Sequence, residues 1–175
     1  MGQHWLNPPH LLPLCEIIAG EKTSPENVQK MRTLVESLDK QPVVVADING
    51  FIINRIQFAL LREALHIVDI GAATFEDVDT VLKAGVGLRY AALGPFGVAD
   101  FGGLDTFDHI NSYLNAELDD SKVGNKRLHE MVEAGKLGVK SGQGFYDYSG
   151  DQADAAIRER DRLYIELAKV LYFKK

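Results

Sequence analysis

The segment His4-Trp5-Leu6-Asn7-Pro8-Pro9-His10-Leu11-Leu12-Pro13-Leu14-Cys15-Glu16 gathers two imidazoles, a side-chain amide and a carboxylate into one short stretch stiffened by proline. Histidine is the side chain best suited to take and return a proton near neutral pH. It does so better when a carboxylate fixes its tautomer and stabilises the imidazolium formed during reaction. His4 and Glu16 supply both types. Their separation is too long for one helix face, so a bent loop leading into a strand must bring them together. Glu16 interrupts the apolar run Leu14-Cys15-Ile17-Ile18, and a carboxylate in such a place demands a partner. By strand alternation it shares a face with Leu14 and Ile18. His10 competes with His4 for that partnership. Two other readings stand beside the acid–base pair. Glu16 could be a charge that protects a strand edge, or His4, His10 and Glu16 could be ligands of a metal-dependent hydrolase. The compact HExxH spacing is absent, and no metal is assigned.

The elements that must hold these residues follow from periodicity and caps. Residues 1–13 are too rich in proline for regular helix. Leu14 to Ala19 reads as a short apolar strand ending at Gly20. Thr23-Ser24-Pro25-Glu26 combines a cap, an early proline and a carboxylate, so a helix should run from there to about Asp39. The β-branched run from Pro42 to Asp47 predicts a buried strand. This strand–helix–strand is the tail of an α/β layer. Two strands alone make no stable sheet, so the remaining strands are expected before Met1. From Gly50 the pattern turns helical: Phe51 to Val68, a helix capped at Thr74 and ending near Gly85, a short turn at Pro95 to Asp100, then Leu104 to Leu118, Lys126 to Ala134 and Ala153 to Phe173. The boundary is placed at Asp47–Gly50. On the long helix, at about 100° per residue, Arg55, Arg62 and His66 form one stripe, and Asn54 lies well off it among apolar neighbours. Asn54 is either a cap near the helix start or an amide placed to bind something polar.

Bulk properties narrow the function classes. With 175 residues, 46% apolar and 25% charged, the chain is of globular composition. A net charge of -6 argues against a general nucleic-acid surface. No apolar run is long enough for a membrane span, and no signal peptide is visible. The single cysteine, Cys15, points to a reducing, cytoplasmic compartment. Gly85-Val86-Gly87 and Gly142-Gln143-Gly144 begin like dinucleotide fingerprints, but each lacks the third glycine and the strand–turn–helix context. Gly94-Pro95 and Gly102-Gly103 read as turns between helices, Tyr146 and Tyr148 as core or interface aromatics, and the Arg158–Arg162 region as a solvated face.

Four segments, in order, carry a resemblance. "HWLNPPHLLPLCEII", "DINGFIINRIQFALLREAL", "GLRYAALGPFGVADFGGLDTF" and "MVEAGKLGVKSGQGFYDY" resemble successive signatures of the 3-hydroxyacyl-CoA dehydrogenase family, over about residues 2–148. The Trp-Leu-Asn-Pro-Pro-His wording resembles the branch of lambda-crystallin-type and short-chain enzymes.

The resemblance implies a mainly α chain. Residues 1–48 would be the tail of a NAD-binding Rossmann domain, a strand–helix–strand remnant. Residues 49–175 would be an all-helical substrate and dimerisation domain, like the C-terminal domain of 6-phosphogluconate dehydrogenase. It implies His4 as catalytic base, Glu16 as the carboxylate that orients it, and Asn54 as support for the substrate oxygen. Asn7 and Lys140 match positions that approach the nicotinamide in some members. The implied cofactor is NAD and the implied substrate an L-3-hydroxyacyl-CoA, in fatty-acid β-oxidation, by a homodimer without nucleic-acid or membrane partners. The glycine fingerprint, the ribose-binding acid and a substrate-contacting serine of the family have no counterpart here. The chain alone is therefore expected to be inactive. The alternatives are a dehydrogenase of a 3-hydroxy acid without CoA and a non-catalytic helical dimerisation module.

Overall fold

The computed structural model describes residues 1–173 and divides the chain into two compact units. One comprises Met1–Phe58 and the chain from Ala153 onward; the other is Ala59–Gln152. The architecture is mainly helical, with one small three-stranded sheet.

In the first unit, β1 (Gly2–Trp5) pairs antiparallel with β2 (Leu14–Ala19), and β2 pairs in parallel with β3 (Gln41–Ala46). Strand β1 lies within the stretch for which the sequence excludes regular helix but names no strand. The prolines start only at Pro8, so Gly2–Trp5 is free to extend, and the loop after it turns the chain back along β2. Lys40 pins that loop by donating from Nζ to the carbonyls of Pro9 (2.8 Å) and Leu12 (2.9 Å). Helix α1 (Pro25–Ser37) is capped as the sequence predicts, with Asn27 N–H donating to Ser24 Oγ.

Period-two alternation sends Cys15 and Ile17 of β2 into a core shared with Val35 of α1 and walled by Trp5 and Met31. Glu16 therefore points to the opposite face. Strand β3 is formed where expected but is not buried as expected. Val43 and Val44 are exposed, and Val45 alone of the strand is buried. Its β-branched run specifies extended backbone, whereas burial depends on covering layers, and β3 is an edge strand of this sheet.

Helix α2 (Ile53–Asp69) carries the chain from the first unit into the second. Helix α3 (Phe75–Val81) opens on a full capping box between Thr74 and Asp77. It does not stop at Gly85. A π-helical stretch, Leu82–Gly87, leads straight into α4 (Leu88–Gly102). Glycine inside a helix costs about 1 kcal/mol and does not by itself end one. The break comes instead at Gly94, with φ 70° and ψ 171°, because Pro95 disfavours helical backbone in the residue before it. The short turn expected at Pro95–Asp100 is thus the second half of α4. Helix α5 (Leu104–Leu114) ends before the expected Leu118. Helix α6 (Lys126–Glu133) follows, and α7 (Gln152–Leu171) belongs to the first unit. Among the described residues, no helix is long and apolar enough to cross a membrane.

Candidate active site

The antiparallel register sets His4 directly opposite Glu16. Residues opposite one another present side chains on the same face. His4 Nδ1 and Glu16 Oε2 lie 2.7 Å apart. The carboxylate accepts from Nδ1–H, which leaves the lone pair on Nε2 available to accept a proton. Glu16 is 1% exposed and the His4 side chain 27%, so the pair has one dry end and one reachable end. His10 is exposed, and Glu16 takes His4 as its imidazole partner.

The other oxygen of Glu16 explains how a carboxylate is tolerated in the interior. Oε1 accepts from the backbone N–H of Ile52 (2.9 Å) and of Ile53 (3.0 Å), the opening amides of α2. The first amides of a helix have no partner within it, and its dipole favours negative charge there. Glu16 therefore joins the imidazole to a helix N-terminus, a role beyond orienting His4. These amides were not legible in the sequence, because backbone donors leave no side-chain signature; the Gly50 that precedes them is the only hint. The Phe51 ring lies 5.3 Å from the His4 ring, centroid to centroid, tilted by 50°. The sequence pattern starts the helix at Phe51, whereas α2 begins at Ile53, which frees Phe51 for this contact.

Asn54 sits in the first turn of α2, next to the amides that hold Glu16. Its Oδ1 accepts from Gln57 Nε2 at 2.7 Å, so what it can offer another group is its N–H donors. Asn7 is exposed in the loop after β1. Lys140 is exposed in a 3-10 turn, Val139–Ser141, of the second unit. His4 and Glu16 are thus in direct contact, Asn54 shares a helix start with their anchor, Asn7 lies in the loop after β1, and Lys140 belongs to the second unit. Among the described residues no group of three or more His, Cys, Asp or Glu side chains is gathered to hold a metal ion, so His4, His10 and Glu16 do not form a ligand set.

The fit to a dinucleotide is one-sided. The β2–α1 connection, Gly20-Glu21-Lys22-Thr23-Ser24, has a single glycine and two charged side chains, and its cap hydroxyl is taken by Asn27 N–H. A pyrophosphate needs several glycines for close approach to backbone at such a turn. The Gly85–Gly87 pair lies inside the π-helical stretch, and Gly142–Gly144 lies in a tight turn, so neither opens a helix after a strand. Among the described residues, none of these turns offers the glycine-rich strand–turn–helix that a pyrophosphate needs.

Comparison with known proteins agrees with this geometry. The family model for the 3-hydroxyacyl-CoA dehydrogenase C-terminal domain matches residues 50–148. The model for the NAD binding domain of the same family matches residues 1–48, so part of that domain is present on the chain. The 5-formyl-3-hydroxy-2-methylpyridine 4-carboxylate 5-dehydrogenase of Mesorhizobium japonicum is 41% identical over 98% of this chain and 56% of its own length. A probable 3-hydroxybutyryl-CoA dehydrogenase of Bacillus subtilis is 40% identical over 85% of the chain and 51% of its own length. A crystal structure of a 5-formyl-3-hydroxy-2-methylpyridine 4-carboxylic acid 5-dehydrogenase, described as an NAD+-dependent dismutase, superposes with a TM-score of 0.93 at 41% identity, covering 97% of this chain and 55% of that one. The chain thus spans about half the length of the curated relatives it matches. Two family models that together match nearly everything up to Tyr148, and relatives at this level of identity, lead to one conclusion: the chain belongs to the 3-hydroxyacyl-CoA dehydrogenase family, whose cofactor is NAD.

Proposed function

We propose that the chain is the catalytic and helical portion of an NAD-dependent dehydrogenase that oxidises the 3-hydroxyl of an L-3-hydroxyacyl-CoA, as in fatty-acid β-oxidation. The observation that supports this most is the His4–Glu16 contact at 2.7 Å, with Nε2 left unused on a partly exposed ring. His4 takes the hydroxyl proton at Nε2 while the carbon-bound hydrogen leaves with its electron pair, so no full alkoxide accumulates. Glu16 stabilises the imidazolium that results. Asn54 donates an N–H to the oxygen as it becomes carbonyl-like. NAD, when bound, accepts the hydride. Asn7 and Lys140 would hold its nicotinamide end, with no phosphate cradle supplied by this chain. On its own the chain is then inactive.

In fold terms we read residues 1–48 as the tail of a Rossmann domain and 49–175 as a helical domain of the 6-phosphogluconate dehydrogenase C-terminal type. A homodimer is favoured by exposed apolar side chains on α4 and α5, and a cytoplasmic setting by the single, buried cysteine. One specific observation supports a second reading. The Mesorhizobium relative matches nearly the whole chain and, by its name, acts on a pyridine carboxylate, so a hydroxylated acid without CoA is the alternative substrate class.

The test is NADH formation from 3-hydroxybutyryl-CoA by this chain joined to a relative's N-terminal half. His4→Ala and Glu16→Gln should each lower kcat by roughly 10²–10⁴-fold. Full turnover by His4→Ala would end the reading and leave a helical dimerisation module. Turnover of a hydroxylated pyridine carboxylate in preference to the thioester would select the alternative.

A further inference from the structure

Residues Gly50 and Phe51 both have positive φ, at 80° and 48°. For glycine this backbone carries no penalty. For a bulky residue it brings Cβ into conflict with its own carbonyl, and such residues mark turns or functional constraint. The turn itself has an evident purpose. Phe51 N–H donates to the Ile48 carbonyl at 3.1 Å, and the next two N–H groups, of Ile52 and Ile53, are delivered to Glu16 Oε1. A glycine at position 51 would serve that purpose without strain, so the backbone alone does not call for phenylalanine. What the side chain adds is a ring against the His4 imidazole, 5.3 Å between centroids. Among the described residues the His4 ring has one hydrogen bond, at Nδ1, and a ring held at one nitrogen can still pivot about that contact. A second ring packed near it removes that freedom.

We propose that Phe51 is a positioning residue for His4: its strained backbone aims two helix amides at Glu16, and its ring fixes the plane of the imidazole that Glu16 holds. The proposal rests on the reading of His4 as the base, and it adds a third group to the pair. Neither part of the role touches substrate or cofactor.

The two parts can be separated on the 175-residue chain itself by nuclear magnetic resonance. Chain labelled with ¹⁵N in histidine reports the His4 tautomer through its ring nitrogen shifts, and uniformly labelled chain reports hydrogen exchange at Ile52 and Ile53. In the unsubstituted chain His4 should show one tautomer, protonated at Nδ1. In Phe51→Gly the amides of Ile52 and Ile53 should stay protected, because glycine keeps the turn. Both ring nitrogens of His4 should nevertheless move towards averaged values. Phe51→Leu should show the same averaging, because its side chain lacks the ring that meets the imidazole. Glu16→Gln is the control: its single carbonyl oxygen can accept from the two amides or from Nδ1–H but not from both, so one of the two signals is lost.

Unchanged His4 nitrogens in both variants would overturn the proposal. So would averaging in Phe51→Gly alone, since any apolar cover would then suffice. Collapse of amide dispersion in both variants would overturn it as well, by making Phe51 a residue of the folding core. None of these readouts needs turnover, so a chain that fails every hydroxyacyl substrate can still pass, and an active one can still fail.

Discussion

Glu16 is the residue on which the site depends, because both of its oxygens are engaged and by different elements. Cys15, beside it, faces the other way into the core, where burial first and the Glu16 charge second push its thiol up, which leaves it a packing residue and not a nucleophile. Tyr146 shows the same kind of tuning in the second unit. Its hydroxyl donates to Asp79 Oδ2 at 2.9 Å, and burial together with that carboxylate pushes its pKa up to about 12 from an ordinary 10.0. The folded state therefore favours the neutral phenol. The stability it contributes is complete below pH 10 and is lost as pH rises through about 12. Tyr146→Phe should lower stability near pH 8 by about 1 kcal/mol, the typical value of one hydrogen bond. It should also flatten the alkaline decline seen in denaturant titrations at successive pH values; an unchanged decline would place the responsible group elsewhere. The sequence makes Tyr146 a core or interface aromatic, and the structure adds the acceptor, which lies far away in the chain on α3.

Among the elements, the helix junctions were the least legible and are the most open to test. Helix α4 hands over to α5 at Gly103, with φ 89°. A Cβ there would also meet Asp105 Oδ1 at 2.8 Å. Gly103→Ala should destabilise the second unit by roughly 1–2 kcal/mol through the left-handed backbone alone, measured as a lower denaturation midpoint at unchanged slope. A neutral effect would show that the turn relaxes freely. Gly94 and Gly103 do what Gly94-Pro95 and Gly102-Gly103 suggested, whereas Gly85 does not, although the residue type is the same. The difference is local chemistry: Pro95 forces the break at Gly94, while Gly85 is followed by no proline and stays inside the π-helical stretch. At the other end of α2, Asp69 accepts from Asn125 Nδ2 (2.8 Å) and Arg127 Nε (2.5 Å), which ties the end of that helix to the start of α6 and holds the Asp69 carboxyl below its ordinary range. No periodicity argument reaches across that separation in sequence.

At the scale of the molecule, the second unit leaves large apolar side chains uncovered. Phe96 and Phe101 are 86% and 84% exposed, and Leu88 and Leu104 are more than half exposed. Patches of this kind mark interaction surfaces. A homodimer through these side chains would bury them, and light scattering should then give twice the chain mass for the unsubstituted chain and the single mass for Phe96→Asp combined with Phe101→Asp. A monomer at high concentration without the substitutions would refute the assignment.

The sequence alone determined most of what local rules can reach. It placed β2, α1, the start of α3 and the order of the helices, because caps, proline and apolar period act over a few residues. For His4 and Glu16 it offered a pairing with rivals, since His10 competed for the carboxylate and a strand-edge charge or a metal set could use the same residues; the later signatures, by resemblance, favoured His4. Only the tertiary structure decided that β1 exists, that its register sets His4 opposite Glu16, and that the start of α2 delivers two amides to the same carboxylate. Strand pairing joins segments across a loop, and backbone donors have no letter in the sequence. Whether β3 is buried or exposed depends likewise on what is laid against it, which no run of valines can specify.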